Sequence, residues 1–340
     1  MVVLRGPLPC RRRLRRGAVD VPLLPALSLV MVAPGALLAE SADLLANPWR
    51  FQPHPEVWLL VAFVVAAWWY ALKFIGPHTP EVCAGEPLVT PRQKKLFVLA
   101  VVVLWLASDW PVHDISEEYL YSVHMFQHMA LSYFLPLLVL LSMPTWLFRA
   151  IVGSQRAGRA ITWLSKPVVA GLIFNVMVMV THIPALVNRS VSNAPLHYSL
   201  HVGLVVSSLL MWTPIAAPDP AMRIGYGGRM VYLFLMSVVP TVPAAWLTFA
   251  EGAVYKHYDI AVRVWGLSVT TDQQIAGAIM KIGGSVFLWS IIVFLWFKRF
   301  MAGYDKGQSY VRNPESSLTY EDVTREFERV PARPEPQRDR

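Results

Sequence analysis

Charge is scarce in this 340-residue chain: 15% of it is charged against 55% apolar residues, and mean hydropathy is +0.44. A soluble chain carries about a quarter charged residues, so the shortage excludes an ordinary water-soluble globule. Cysteine is almost missing as well. Cys10 and Cys83 are the only two, with no CxC or CxxC, which excludes a disulfide framework and a thiolate metal site. Any metal chemistry must therefore use His, Met or carboxylate. Nucleotide and nucleophile signatures are also missing: there is no GxxxxGK(S/T), HExxH or GxSxG. Gly225-Tyr-Gly-Gly228 resembles half a phosphate loop, but it only precedes an apolar run.

What the chain does have is apolar length. Runs of about 18 or more apolar residues read as membrane spans, and they predict an all-α, polytopic transmembrane helix bundle. Seven candidates lie near 57–75, 94–108, 121–142, 167–187, 196–213, 229–249 and 275–297. An eighth run, 21–39, follows the basic cluster Arg11, Arg12, Arg13, Arg15 and Arg16. That order suits a secretory signal, and Ala39-Glu-Ser41 is an ambiguous exit. Residues 1–40 thus read equally as a cleaved targeting segment or a retained signal anchor. The membrane domain is expected over 50–300. The polar, Pro-bearing stretch 301–340 reads as a disordered cytoplasmic tail. Pro240 and Pro243 should kink the sixth span, which lipid tolerates only where freed carbonyls face protein or water.

The net charge of +8 is a topology signal, with no need for a nucleic-acid partner. Of the 30 basic residues, 25 fall in the N-terminal segment, one alternate set of loops and the tail, and 5 in the other loops. The positive-inside rule then puts the mature N-terminus outside and the C-terminus in the cytoplasm of a plasma (inner) membrane.

Histidine is where the sequence stops being generic. Of nine histidines, only His78 falls in a loop assigned to the cytoplasm; His54, His113, His124, His128, His182, His197, His201 and His257 all lie toward the outer face. His124 and His128 stand four apart and so share a helix face, and His197 and His201 repeat the spacing. His182 ends the fourth span at the same level. A lone intramembrane histidine more often makes a helix–helix hydrogen bond than binds a ligand. Two HxxxH pairs and a fifth imidazole at one depth favour a metal or haem.

Imidazole suits Zn, Cu and Fe, and thioether sulfur adds a preference for Cu(I). Met125 and Met129 lie on an adjoining face, although methionine is commonly a core filler. Asp109, Asp114, Glu117 and Glu118 crowd the loop ahead of His124, with His113 among them. Such a loop is ordinarily just solvated. His113, Asp114 and Asp272 are nevertheless candidates to support ligands from a second layer. Lys281, about two turns into the last span, is expected to snorkel outward or meet a carboxylate.

The segment Glu117-Glu-Tyr-Leu-Tyr-Ser-Val-His-Met-Phe-Gln-His-Met-Ala-Leu-Ser-Tyr-Phe-Leu-Pro136 resembles the multi-pass CtaG family of cytochrome c oxidase assembly factors. So do Thr181-His-Ile-Pro184, the His197–His201 pair and Asp272-Gln273, in order over roughly residues 50–300. The resemblance implies an oxidase assembly factor that supplies copper to the catalytic subunit of cytochrome c oxidase and needs no enzymatic turnover. His124, His128, His182, His197 and His201 map onto its outer-face histidines. The CxC of the unrelated single-span copper chaperone that shares the family's name is missing here. Two alternatives stand beside this reading, a haem-bearing membrane electron carrier and an intramembrane zinc hydrolase using His with Asp109 or Asp114.

Overall fold

The computed structural model describes residues 47–153, 155–260, 263–312 and 320–329. The targeting segment 1–40 and much of the tail lie outside the described residues. Among the described residues there is helix and no strand. Six helices among the described residues are long and apolar enough to cross a membrane, or seven if a bent pair is counted as one span. We number them α1 (Pro55–His78), α2 (Pro91–Glu118), α3 (Tyr121–Ser142), α4 (Pro167–Thr181), α5 (Ala194–Ala216), α6 (Tyr226–Thr248) and α7 (Val269–Ala302). Of the described residues, those up to Ser290 form one compact unit and those from Ile291 on another.

Helix starts follow ordinary capping chemistry. Proline occupies the first turn of α1, α2, α4 and α5, where its missing N–H costs nothing. Thr90 and Gln93 form a reciprocal capping box ahead of α2. Asn193 caps α5 and Ser268 caps α7.

Several boundaries differ from expectation. The fourth span stops at Thr181 instead of 187, because Pro184 cannot continue the helix and restricts Ile183 to extended backbone (φ −69°, ψ 121°). A helix at 158–164 meets α4 at 76° across a short break. The last span starts at Val269, not 275: its polar first turns are buried, Asp272 and Gln273 at 0% exposure, so they extend the helix. Helix continues to Arg312 and covers Tyr320–Arg329, inside the stretch expected to be a disordered tail.

α3 is the centre of the bundle. Of its most apolar stretch, 67% is buried, against 11% for α1 and 17% for α2. It packs on α2, α5 and α7, while α1 lies on α2, α4 on α5, and the second half of α6 on α7. The outer helices turn Leu59, Phe63, Val98, Phe234 and Val286 outward, as a lipid-facing surface requires.

Two irregularities are stitched by side chains. Just after His128, α3 widens into a π turn, Ala130–Phe134. There Ser132 donates to the His128 carbonyl (2.5 Å), and its own carbonyl accepts from the Trp212 indole (3.1 Å). α6 breaks at Pro240, as predicted. Lys281, on a π turn of α7, reaches into that break and donates to the Thr241 hydroxyl (2.6 Å) and the Ser237 carbonyl (3.4 Å). It neither snorkels nor meets a carboxylate; its partners are the Ser237 carbonyl and the Thr241 hydroxyl, which flank the break. α6 and α7 touch so closely at Gly277 that a Cβ there would come within 2.5 Å of Thr248 Oγ1 and 2.7 Å of the Ala244 carbonyl.

Candidate metal centre

At one end of the bundle α1, α3, α5 and α7 begin and α2, α4 and α6 end. Aligning a helix start with its neighbours' ends brings together residues far apart in sequence. His124 and His128 lie on the first turns of α3, and His197 and His201 on those of α5. Their rings meet: centroids are 4.4 Å apart for His124–His128, 4.5 Å for His197–His201, 4.9 Å for His128–His201 and 5.7 Å for His124–His201. His124, His128 and His201 each offer a ring nitrogen within 4.8 Å of the others. One first-row metal ion fits such a triad with small side-chain shifts.

Neighbouring groups orient the rings. His124 Nδ1–H donates to Glu117, at the end of α2, across 3.1 Å. That leaves His124 Nε2 with its lone pair, the tautomer a metal requires. Glu117 also lies 3.2 Å from His197 Nε2, outside hydrogen-bond geometry, so that nitrogen and His201 Nε2 stay buried without a hydrogen-bond partner. Buried polar atoms ordinarily find partners, and unspent imidazole nitrogens beside one another are what an ion would satisfy.

A single carboxylate fixes the start of α3. Asp272 accepts from the Tyr121 N–H (2.8 Å) and the Ser122 N–H (3.0 Å), donors that a helix start otherwise leaves orphaned. The segment after α6 closes over the site. Tyr258 donates to the Ser116 carbonyl (2.8 Å), His257 Nε2 to the Glu117 carbonyl (2.9 Å) and Tyr255 to the His182 carbonyl (3.1 Å). Gln273 holds that segment through the Val254 N–H (2.8 Å), and Tyr121 packs on Tyr255 and Tyr258.

Four of the five predicted ligand histidines thus converge. His182 is buried at the end of α4, with Nδ1 donating to the Val178 carbonyl (2.6 Å) and Nε2 unpartnered. It belongs to none of the ligand groups that lie within 4.8 Å, because α4 stops at Thr181 and turns the imidazole back onto its own helix. Met129 points its thioether at Gly284 of α7, where a Cβ would lie 3.5 Å from Met129 Cε. Met125 is buried at 2% exposure. About 100° per residue separates Met125 from His124 around the helix; that rotation turned Met129 to α7, and the thioether argument for Cu(I) weakens with it.

The expected second layer is rearranged too. Asp272 supports the backbone of α3 and touches no imidazole. His113 and Asp114 sit with His54 in a group of their own. Asp109 is spent on the Trp105 and Trp58 indoles (2.6 and 2.8 Å) and the Trp110 N–H, which removes it as a metal ligand.

The sequence places Glu117 among the carboxylates ahead of His124 and His54 toward the outer face, but singles out neither as a site residue. Glu117 stands four residues after His113 on one helical turn, and that i,i+4 relation was the available signal. His54 carried none, since its place depends on α1 lying against α2. Burial works to lower the His54 pKa, but the hydrogen bond and charge of Asp114, with Glu56 behind them, outweigh it and hold it above 6.5.

No curated protein and no solved structure matches the chain. The family of cytochrome c oxidase caa3 assembly factors, Caa3_CtaG, matches residues 68–301, which covers more than half of the chain and every histidine of the triad. With a helical membrane bundle around a histidine-rich end, this match means that the chain belongs to the Caa3_CtaG family of cytochrome c oxidase assembly factors.

Proposed function

We propose that this assembly factor handles copper at the outer face of the membrane and delivers it to the catalytic subunit of cytochrome c oxidase. The observation that carries the reading is the triad His124, His128 and His201, three ligand nitrogens within 4.8 Å on two rigid helices. Copper is cargo here. Imidazole binds it well, and an all-imidazole set with no thiolate holds it loosely enough to release. The lopsided basic loops favour the outer face for this end of the bundle. No turnover is needed, because ligand exchange between the triad and the receiving subunit moves the ion with no bond to break in a substrate.

The test is metal content and the absorption spectrum of detergent-purified protein, beside a His124→Ala/His128→Ala variant. Copper in the parent, lost from the variant that keeps one triad ligand, with no haem band, supports the reading. Oxidase activity in cells carrying the variant should fall with it. A Soret band would replace the reading with the electron carrier. Zinc retained against copper would replace it with the hydrolase.

A further inference from the structure

A second ligand set lies beside the triad. His54 caps the start of α1, and His113 and Asp114 stand near the end of α2. One ligand atom from each comes within 4.8 Å of the others. His54 Nε2 donates to Asp114 Oδ1 at 2.5 Å, His113 Nδ1 lies 3.6 Å from the same oxygen, and the two rings are 4.6 Å apart. Asp114 is 4% exposed, yet its Oδ2 has no partner, and neither has His113 Nδ1. A purely structural His–carboxylate pair would spend those atoms. A buried carboxylate oxygen and an imidazole nitrogen left open side by side are unfilled coordination positions. His54 lies ahead of the residues that match the family, and His113 and Asp114 lie within them.

The set is also connected to the triad. His113 forms a further group with Glu117 and His197, again within 4.8 Å. Glu117 is 3.1 Å from His124, and the His197 ring touches His201. Side-chain exposure falls from 14% and 17% at His54 and His113 to 9% at His124. Ligand groups therefore overlap stepwise from the wetter rim to the buried triad, each step shorter than the reach of a side-chain rotation.

We propose that His54, His113 and Asp114 form a second metal site, for a divalent first-row cation such as Cu(II), which passes its ion to the triad by way of Glu117 and His197. The mixed imidazole and carboxylate donors suit a borderline divalent ion. Transfer is ligand exchange: one donor leaves as the next binds, and no electron moves. The site itself stands on its own geometry, and its role as the loading point rests on the copper reading of the triad.

Equilibrium dialysis of the full-length, detergent-purified protein against Cu(II), with electron paramagnetic resonance on the loaded samples, tests both parts. The parent should hold about two ions per chain, and His54→Ala, Asp114→Asn and His124→Ala/His128→Ala about one each, with two distinct spectra. At limiting copper, His54→Ala and Asp114→Asn should fill the triad about tenfold more slowly to the same final occupancy. Asp114→Asn is isosteric, and His54 lies ahead of its helix, so the two variants perturb folding in different ways. Parent stoichiometry and spectrum in both variants would overturn the site. Unchanged loading rates would overturn the hand-over. A single ion in the parent, lost in Asp114→Asn and kept in His124→Ala/His128→Ala, would leave this site standing and sink the triad as a copper site.

Discussion

The two ends of α3 treat charge in opposite ways. At its start, His124 is buried, Asp272 is wholly enclosed, Glu117 is shared between imidazoles, and several ring nitrogens have no partner. At its far end, Trp146 is buried but satisfied, its indole donating to the Leu88 carbonyl (2.8 Å). Beyond it, Arg149 stands 47% exposed and bridges Asp219 (2.9 Å) and Glu81 (3.4 Å). The Arg149 hydrogen bond, with the Ala221 N–H, holds the Asp219 carboxyl below its ordinary value. Charge at that end is paired in water, where it costs little and contributes little. Charge at the histidine end is held out of water with capacity left over, which is expensive in a membrane and is retained where a ligand uses it.

That contrast can be broken most directly at Glu117. Glu117→Gln keeps the side chain's shape but removes the charge that strengthens its hydrogen bond from His124 Nδ1–H. The expected outcome is copper affinity weaker by about 10- to 100-fold, measured by competition with a chromophoric chelator. Unchanged affinity would mean that Glu117 is only a packing carboxylate.

A smaller effect is expected one layer out. Asp272→Ala strips the Tyr121 and Ser122 N–H groups of their acceptor at the start of α3. It should destabilise the detergent-solubilised protein by about 1–2 kcal/mol, read as a lowered thermal midpoint. Copper affinity should slip alongside, since the first turn of α3 places His124. If the midpoint held while affinity fell, Asp272 would be acting on the metal and not on the helix.

At the opposite end Arg149→Ala should leave both the thermal midpoint and copper binding unchanged. A loss of copper there would destroy the contrast between the ends. A loss of stability alone would show that the Glu81–Arg149–Asp219 contacts brace the loops more firmly than exposed ion pairs usually do.

Much of this is legible in the amino-acid sequence. Apolar run length alone marked the spans, because lipid demands helices of a set length with their polar backbone internally paired. Both HxxxH pairs were visible because i and i+4 share a helix face whatever surrounds it. The break at Pro240 was visible for an equally local reason, the missing N–H. Span ends were less visible. The apolar window put the start of the last span near 275, whereas the helix begins at Val269, because the partners of Asp272 and Gln273, the α3 backbone and the segment after α6, lie far away in sequence.

Hydropathy and helical period act within a few residues, so the helices, their order and the residues at the histidine end are local properties of the chain. Which side chains face one another is a matter of packing, because contact with its neighbours sets the rotation of each helix about its axis. Packing turned Met129 toward α7 and His182 onto its own helix, recruited Glu117 to His124 and His197, and brought His54 across from α1 to Asp114. It also set Lys281 against the Thr241 hydroxyl, forty residues away on another span.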